Sequence, residues 1–208
     1  MAHIHSGDLV YIITGFVLLP WKQPETDGMV SSMMLARFLI KAFDCTPVLV
    51  VPEECMEAVR RLAMVLGFHL YDTVEEAQEY PFSLCAVPFT KDDREAPAQA
   101  EALLAKGVPA AVITNEAPGR NAKGAYHNAV GKSLTELEAK SDVLFNACKA
   151  RGIYNLSIGD LGNEIGMAAI GDHIRKYVPH ADDGECECSC GGGILVESTA
   201  DNLITATC

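Results

Sequence analysis

The sequence predicts an α/β fold, a three-layer doubly wound, mostly parallel sheet with helices on both faces. Apolar runs of strand length alternate with amphipathic stretches of helical length. That order lays each strand beside an earlier one through a helical crossover. The strand-like runs are apolar at successive positions rather than at every second one, as expected of a sheet covered on both faces. The chain has 208 residues, 49% hydrophobic and 21% charged, enough to fill one core, which excludes disorder.

In chain order, Val10–Thr14 reads as a first buried strand. Gly28–Phe43 follows as a helix, with Met29, Met33, Leu35, Phe38, Leu39 and Ala42 near helical spacing. Thr46–Val51 is a β-branched strand closed by Pro52. Glu53–Leu66 opens with two acids, favourable at a helix N-terminus, and stops at Gly67. Phe68–Tyr71 and Ser83–Val87 are short strands around a helical turn at Val74–Glu79. Ala96–Ala105 is a helix and Ala110–Thr114 a buried strand. A long loop then leads to a helix over Asp142–Arg151, a strand over Tyr154–Ile158 and a helix from about Asn163. Strand-like runs at Gly193–Val196 and Asn202–Ala206 complete the pattern.

Ligands of such folds sit outside the carboxyl ends of the strands, and three segments there are rich in chemistry. In the first, Thr14–Gly28, Thr26 or Asp27 caps the helix and Gly28 gives a ligand access to free backbone N–H groups. An ordinary capped turn accounts for it equally well. In the second, Thr114–Gly131, Arg120 suits a bidentate grip on a carboxylate, while Glu116 suits an ammonium or the work of a base. A solvated loop is the bland alternative. The third, Gly159–Gly166, packs three glycines, Asp160, Asn163 and Glu164 into eight positions. Its acids suit an ammonium, a cation or proton transfer; the alternative is a glycine-rich turn with Asn163 or Asp160 capping the next helix. The glycine order matches neither a dinucleotide fingerprint nor a phosphate-binding loop.

Charge narrows the partners. Sixteen basic against 28 acidic residues leave a net −12, a field that opposes nucleic acid. No apolar run reaches membrane-spanning length, so no membrane partner is expected. Cys45, Cys55, Cys85 and Cys148 sit singly in apolar stretches and read as buried thiols. Without a secretory signal, a reducing cytoplasmic setting is expected. Cys186, Cys188 and Cys190 alternate along the chain. Structural zinc sites usually join two separated cysteine pairs, so this run reads as an acidic loop with incidental thiols. His3 and His5 read as a frayed arm.

The three segments together resemble the D-glutamate cyclase family, from about residue 10 to the end. The resemblance is carried by Thr14-Gly15-Phe16 with Glu25-Thr26-Asp27-Gly28, by Glu116, Pro118-Gly119-Arg120, Gly124, Tyr126, Asn128 and Gly131, and by Ile158–Met167. Relatives often have prolines where Met29 and Val30 stand, and glycine where Leu161 places a side chain that narrows the site. The family usually continues past Cys208, so the expectation is a single domain without its usual C-terminal segment, one whose exposed edge favours a homo-oligomer.

The resemblance implies a lyase that converts D-glutamate, a small anionic amino acid, to 5-oxo-D-proline with loss of water. For that chemistry Glu164 or Asp160 is expected as base and acid, the order left open, with Glu116 a rival to Glu164 for the base. Arg120 is expected on one substrate carboxylate and the N–H groups of Gly28 or Gly162 on the other. Asp27, Tyr126, Asn128 and Asn163 complete the expected substrate contacts. No cofactor is expected under this reading. Two rivals stay open: a metal-assisted enzyme on another small carboxylate or phosphate, with Mg2+ shared by Asp160, Glu164 and Asp27, and a non-catalytic protein that binds a small ligand.

Overall fold

The computed structural model describes residues 4–184 and 186–205. His3, Glu185, Ala206 and Cys208 lie outside the described residues. The chain runs β1 (Leu9–Ile13), β2 (Val17–Leu18), β3 (Gln23–Pro24), α1 (Thr26–Phe43), β4 (Thr46–Val51), α2 (Met56–Leu66), β5 (His69–Tyr71) and α3 (Val74–Glu79). It continues with β6 (Ser83–Pro88), α4 (Ala96–Lys106), β7 (Ala111–Asn115), α5 (Ser141–Ala150), β8 (Tyr154–Gly159), α6 (Gly171–Tyr177) and β9 (Asn202–Thr205). Among the described residues seven strands form one sheet, in the order β5-β6-β4-β1-β7-β8-β9. Every neighbouring pair is parallel. No helix among them is long and apolar enough to cross a membrane.

The continuous apolar strands do what their pattern predicts. In β1, Leu9, Tyr11 and Ile13 face a layer that includes Leu103 and Leu104 of α4 and Leu144 and Phe145 of α5. The intervening Val10 and Ile12 face Met29 and Met33 of α1 and Val59 and Ala63 of α2. Each such buried side chain contributes about 1.5–3 kcal/mol over its exposed state, so the two layers hold the sheet from both sides. The four singly placed cysteines are buried free thiols.

Two expectations differ from the structure, and one element was not expected. No helix begins at Asn163; α6 starts only at Gly171. Gly162 and Gly166 hold left-handed backbone (φ 98° and 94°), which breaks helical propagation. A Cβ at Gly166 would also lie 2.1 Å from Ser157 Oγ. Gly193–Val196 is not a strand, because its N–H groups go to three separate places: Ile194 to His180, Leu195 to Ala181, and Val196 to Gly162. The antiparallel ribbon of β2 and β3 has two residues per strand, too few for a periodicity to register.

The long loop between β7 and α5 is tied down by Arg120, in a different role from the expected one. Its guanidinium forms a two-point contact with Asp142 of α5, with Nε donating to Oδ2 (2.5 Å) and Nη2 to Oδ1 (3.3 Å). Nη1 lies 3.1 Å from Asp93. The Tyr126 hydroxyl donates to Asp142 Oδ1 at 2.6 Å, and its ring packs with Phe16 and Leu134. Asp142 is 1% exposed, and an anion that dry needs paired donors. Arg120→Met strips the charge partner and should cost about 2–4 kcal/mol, below the full cost for a buried pair because Arg120 is partly hydrated. Chemical denaturation measures this. Unchanged stability with a raised KM would instead return Arg120 to the substrate.

Candidate active site at the sheet switch point

From β1 the chain crosses to β4 on one side, whereas β7 lies on the other side of β1. The crevice outside the carboxyl ends of β1 and β7 is therefore the topological switch point, and all three loaded segments reach it. Asn115, at the end of β7, pins the start of α1 over this crevice. Its Nδ2 lies 3.2 Å from the Gly28 carbonyl, 2.7 Å from Ser31 Oγ and 2.9 Å from Ser32 Oγ. The approach is so close that a Cβ on Gly28 would stand 2.8 Å from Glu116 Cβ and 3.0 Å from Thr14 Oγ1. Glu116 itself holds left-handed backbone (φ 46°), an uncommon and strained state for a residue of its type. Its N–H donates to the Ile158 carbonyl (3.1 Å).

Glu164 organises the third segment. Its carboxylate accepts N–H bonds from Asp160 (3.0 Å) and Leu161 (3.0 Å) at Oε1, and from Gly162 (2.7 Å) at Oε2. The side chain lies so tightly over Gly159 that a Cβ there would meet three of its carbons at 2.9–3.0 Å. Two backbone bonds then join this segment to the second one, Gly119 N–H to the Asn163 carbonyl (2.9 Å) and Ile165 N–H to the Ala117 carbonyl (2.8 Å).

Between the segments lies a cavity of about 630 Å3. Glu25, Asp27, Glu116, Asp160 and Glu164 line it, with Asn128 and Asn163. Phe16, Leu18, Val130 and Leu161 supply apolar wall. Among the described residues no lysine or arginine lines it. Carboxyl oxygens of Glu116, Asp160 and Glu164 all lie within 4.8 Å of one another.

Crowded carboxyls in a dry place hold their protons harder. Burial, then the neighbouring Glu164, Asp160, Asp27 and Glu25, push Glu116 up to about 8. Burial and a hydrogen bond with Asp160 raise Glu164, against the opposing pull of its backbone donors. Glu25 is raised by burial and by Asp27 and Asp160. This arrangement can hold a cationic group, share a proton among its acids, or gather a divalent ion through oxygen ligands.

The expected site residues separate cleanly. Asp27, Glu116, Asn128, Asp160, Asn163 and Glu164 meet at the cavity, whereas Arg120 and Tyr126 are engaged by Asp142. The N–H groups of Gly28 and Gly162, expected to receive a substrate carboxylate, already donate to Asp27 Oδ1 (2.6 Å) and Glu164 Oε2. Each protein carboxylate sits one or two residues from the N–H that it fills, an advantage no incoming ligand has. Glu116 replaces Asp27 in the cluster expected for a cation. Glu25 was not assigned a role from sequence; its place two residues before Asp27 and just before a helix was the available signal. Asn163 donates to the His127 carbonyl (3.0 Å), and its Oδ1 is buried without a partner among the described residues.

The sequence is 28% identical to the human mitochondrial D-glutamate cyclase over 196 residues, which is 90% of this chain and 29% of that protein. The profile of the family described as "D-glutamate cyclase-like, C-terminal" matches residues 1–207. On that match, the chain belongs to the D-glutamate cyclase-like C-terminal family.

Proposed function

We propose that the cavity closes glutamate, as the D isomer, to 5-oxoproline with loss of water. The observation that carries this reading is the cluster of Glu116, Asp160 and Glu164 at the switch point, with Glu116 held protonated in the neutral range. Family membership supplies the reaction class. The chemistry needs an amine freed of its proton, a γ-carboxylate relieved of its charge, and a proton for the departing hydroxide. In this reading Asp160 holds the ammonium and accepts its first proton. Glu116 donates its proton to the γ-carboxyl oxygen that leaves as water. Glu164, fixed by three N–H groups, orients both. The amine then bonds to the γ-carbon and gives its second proton to the Glu116 carboxylate, the proton held by Asp160 passes to the departing hydroxyl, and the C–O bond breaks to release water. Folding the substrate within the cavity supplies much of the rate, since intramolecular attack is worth about 7–11 kcal/mol over a bimolecular reference.

An acidic cavity repels a dicarboxylate, so the substrate's ammonium and the protonated Glu116 are essential to binding. The same geometry favours a second reading, metal-assisted chemistry on a small carboxylate. Three carboxyls within 4.8 Å suit a divalent ion, which would neutralise the carboxylate as a Lewis acid.

Proton NMR of D- and L-glutamate with the protein, with and without Mg2+ and chelator, should show 5-oxoproline from the D isomer. Glu164→Gln should abolish it. Product that vanishes with chelator selects the metal-assisted form, and no turnover of either isomer by folded protein overturns the cyclase reading.

The pH dependence has a definite sign. Glu116 donates only while protonated, so kcat should fall as pH rises through about 8. Glu116→Gln should lower kcat about 10²-fold or more and remove that limb. A raised carboxyl also binds its proton more tightly folded than unfolded, so stability should decline between pH 4.5 and about 8. Denaturation of Glu116→Gln across that range should show a flatter profile; an equally steep one would place the shift elsewhere.

A further inference from the structure

We propose that His127, Cys186, Cys188 and Cys190 form a structural Zn2+ site that fastens the late loop of the chain to the wall of the cavity. The four donors converge from segments about sixty residues apart. His127 Nε2 lies 3.0 Å from Cys188 Sγ and 3.9 Å from Cys190 Sγ. Cys186 Sγ lies 3.3 Å from Cys190 Sγ and 3.6 Å from Cys188 Sγ. All four donor atoms fall within 4.8 Å of one another. A tetrahedron with Zn–S near 2.3 Å and Zn–N near 2.0 Å has edges of about 3.5–3.8 Å, the spacing around which these contacts scatter.

On an extended chain, cysteines at every second position share a face but stand about 7 Å apart, too far to hold one ion, which is why the sequence alone suggests incidental thiols. The structure turns the chain between them. Ser189 holds left-handed backbone (φ 56°) and donates its N–H to the Cys186 carbonyl (3.1 Å). All three sulfurs then face His127.

The surroundings suit thiolates. Gly192 N–H and Asn121 Nδ2 each lie 3.4 Å from Cys190 Sγ as donors. Asn121 also donates to the Gly193 carbonyl (2.7 Å), and its Oδ1 accepts the N–H groups of Lys123 and Ala125. One amide therefore fixes both halves of the site, as outer groups around structural metals do. A Cβ at Gly192 would stand 2.7 Å from that amide nitrogen.

Three sulfurs and one imidazole select zinc over Mg2+ or Ca2+, which prefer oxygen. Four protein donors close the site and leave no position for substrate, so its role is structural. Between Asp182 and Gly193 the sequence offers acids, glycines, cysteines and a serine and no large apolar side chain. A metal supplies the cohesion that a core otherwise would. Glu187 N–H donates to the Gly131 carbonyl (2.9 Å), and His127 adjoins Asn128 and Val130 of the cavity wall. The clamp therefore shapes the cavity while remaining separate from its acids.

The test is metal content of the whole chain, purified under reducing conditions without chelator and reconstituted with Zn2+. About one zinc per chain is expected, lost to background in the double variant C188S/C190S and retained in E116Q/E164Q. Cobalt replacing zinc in the unaltered protein should give the visible bands of a tetrahedral site and a near-ultraviolet sulfur-to-cobalt band. That spectrum decides the matter even if C188S/C190S fails to fold. Folded, reduced protein that binds no zinc would overturn the proposal. So would zinc lost only from E116Q/E164Q, or a cobalt spectrum without the sulfur band.

Discussion

The Glu164 side chain enters the space left by Gly159 and takes three backbone N–H groups from the turn that follows β8. Most of the functional end of the molecule depends on that buried acid. It closes the turn, leaves Gly162 and Gly166 in left-handed backbone, and so prevents a helix where acidic and apolar residues alternate. It also sets Asn163 and Ile165 against Ala117 and Gly119, which joins the loops after β7 and β8. Glu116 is then brought beside Asp160 and Glu164.

Crowding of these acids has a direct electrostatic result. Glu164 is buried and Glu116 and Asp160 partly so, like charges are close, and protons are retained that free carboxyls would lose. A protein of net charge −12 thereby builds an acidic cavity with no basic side chain among its described lining residues. The only guanidinium in the neighbouring loop, Arg120, is needed by the buried Asp142. In the proposed reaction, charge balance comes from protonation or from a bound cation, together with the ammonium of the substrate.

The cavity is held from two directions. Arg120, Tyr126 and Asp142 anchor one part of the long loop to α5, and the cysteine–histidine cluster faces the other. Between them lie Asn128 and Val130 on the cavity wall. A loop of this length has little core of its own, so its shape comes from polar ties at both ends. The main sheet, with its two apolar layers, supplies a rigid base that these ties need not reinforce.

The local sequence was sufficient for the parallel sheet, because continuous apolar runs such as Leu9–Ile13 and Val48–Val51 can be buried in only a few ways. It also brought Asp27, Glu116, Asp160 and Glu164 to one place, since all four follow strands of one sheet and such segments share an edge. Partner choice was another matter. Arg120 and a substrate carboxylate make the same chemical sense as Arg120 and Asp142, and only packing of α5 against the loop decides between them. The three cysteines carried no visible fourth ligand, because His127 lies some sixty residues away and a turn at Ser189 was required to aim the sulfurs together. Periodicity records how deeply each segment is buried; which side chains meet across distant loops is decided only when the chain closes on itself.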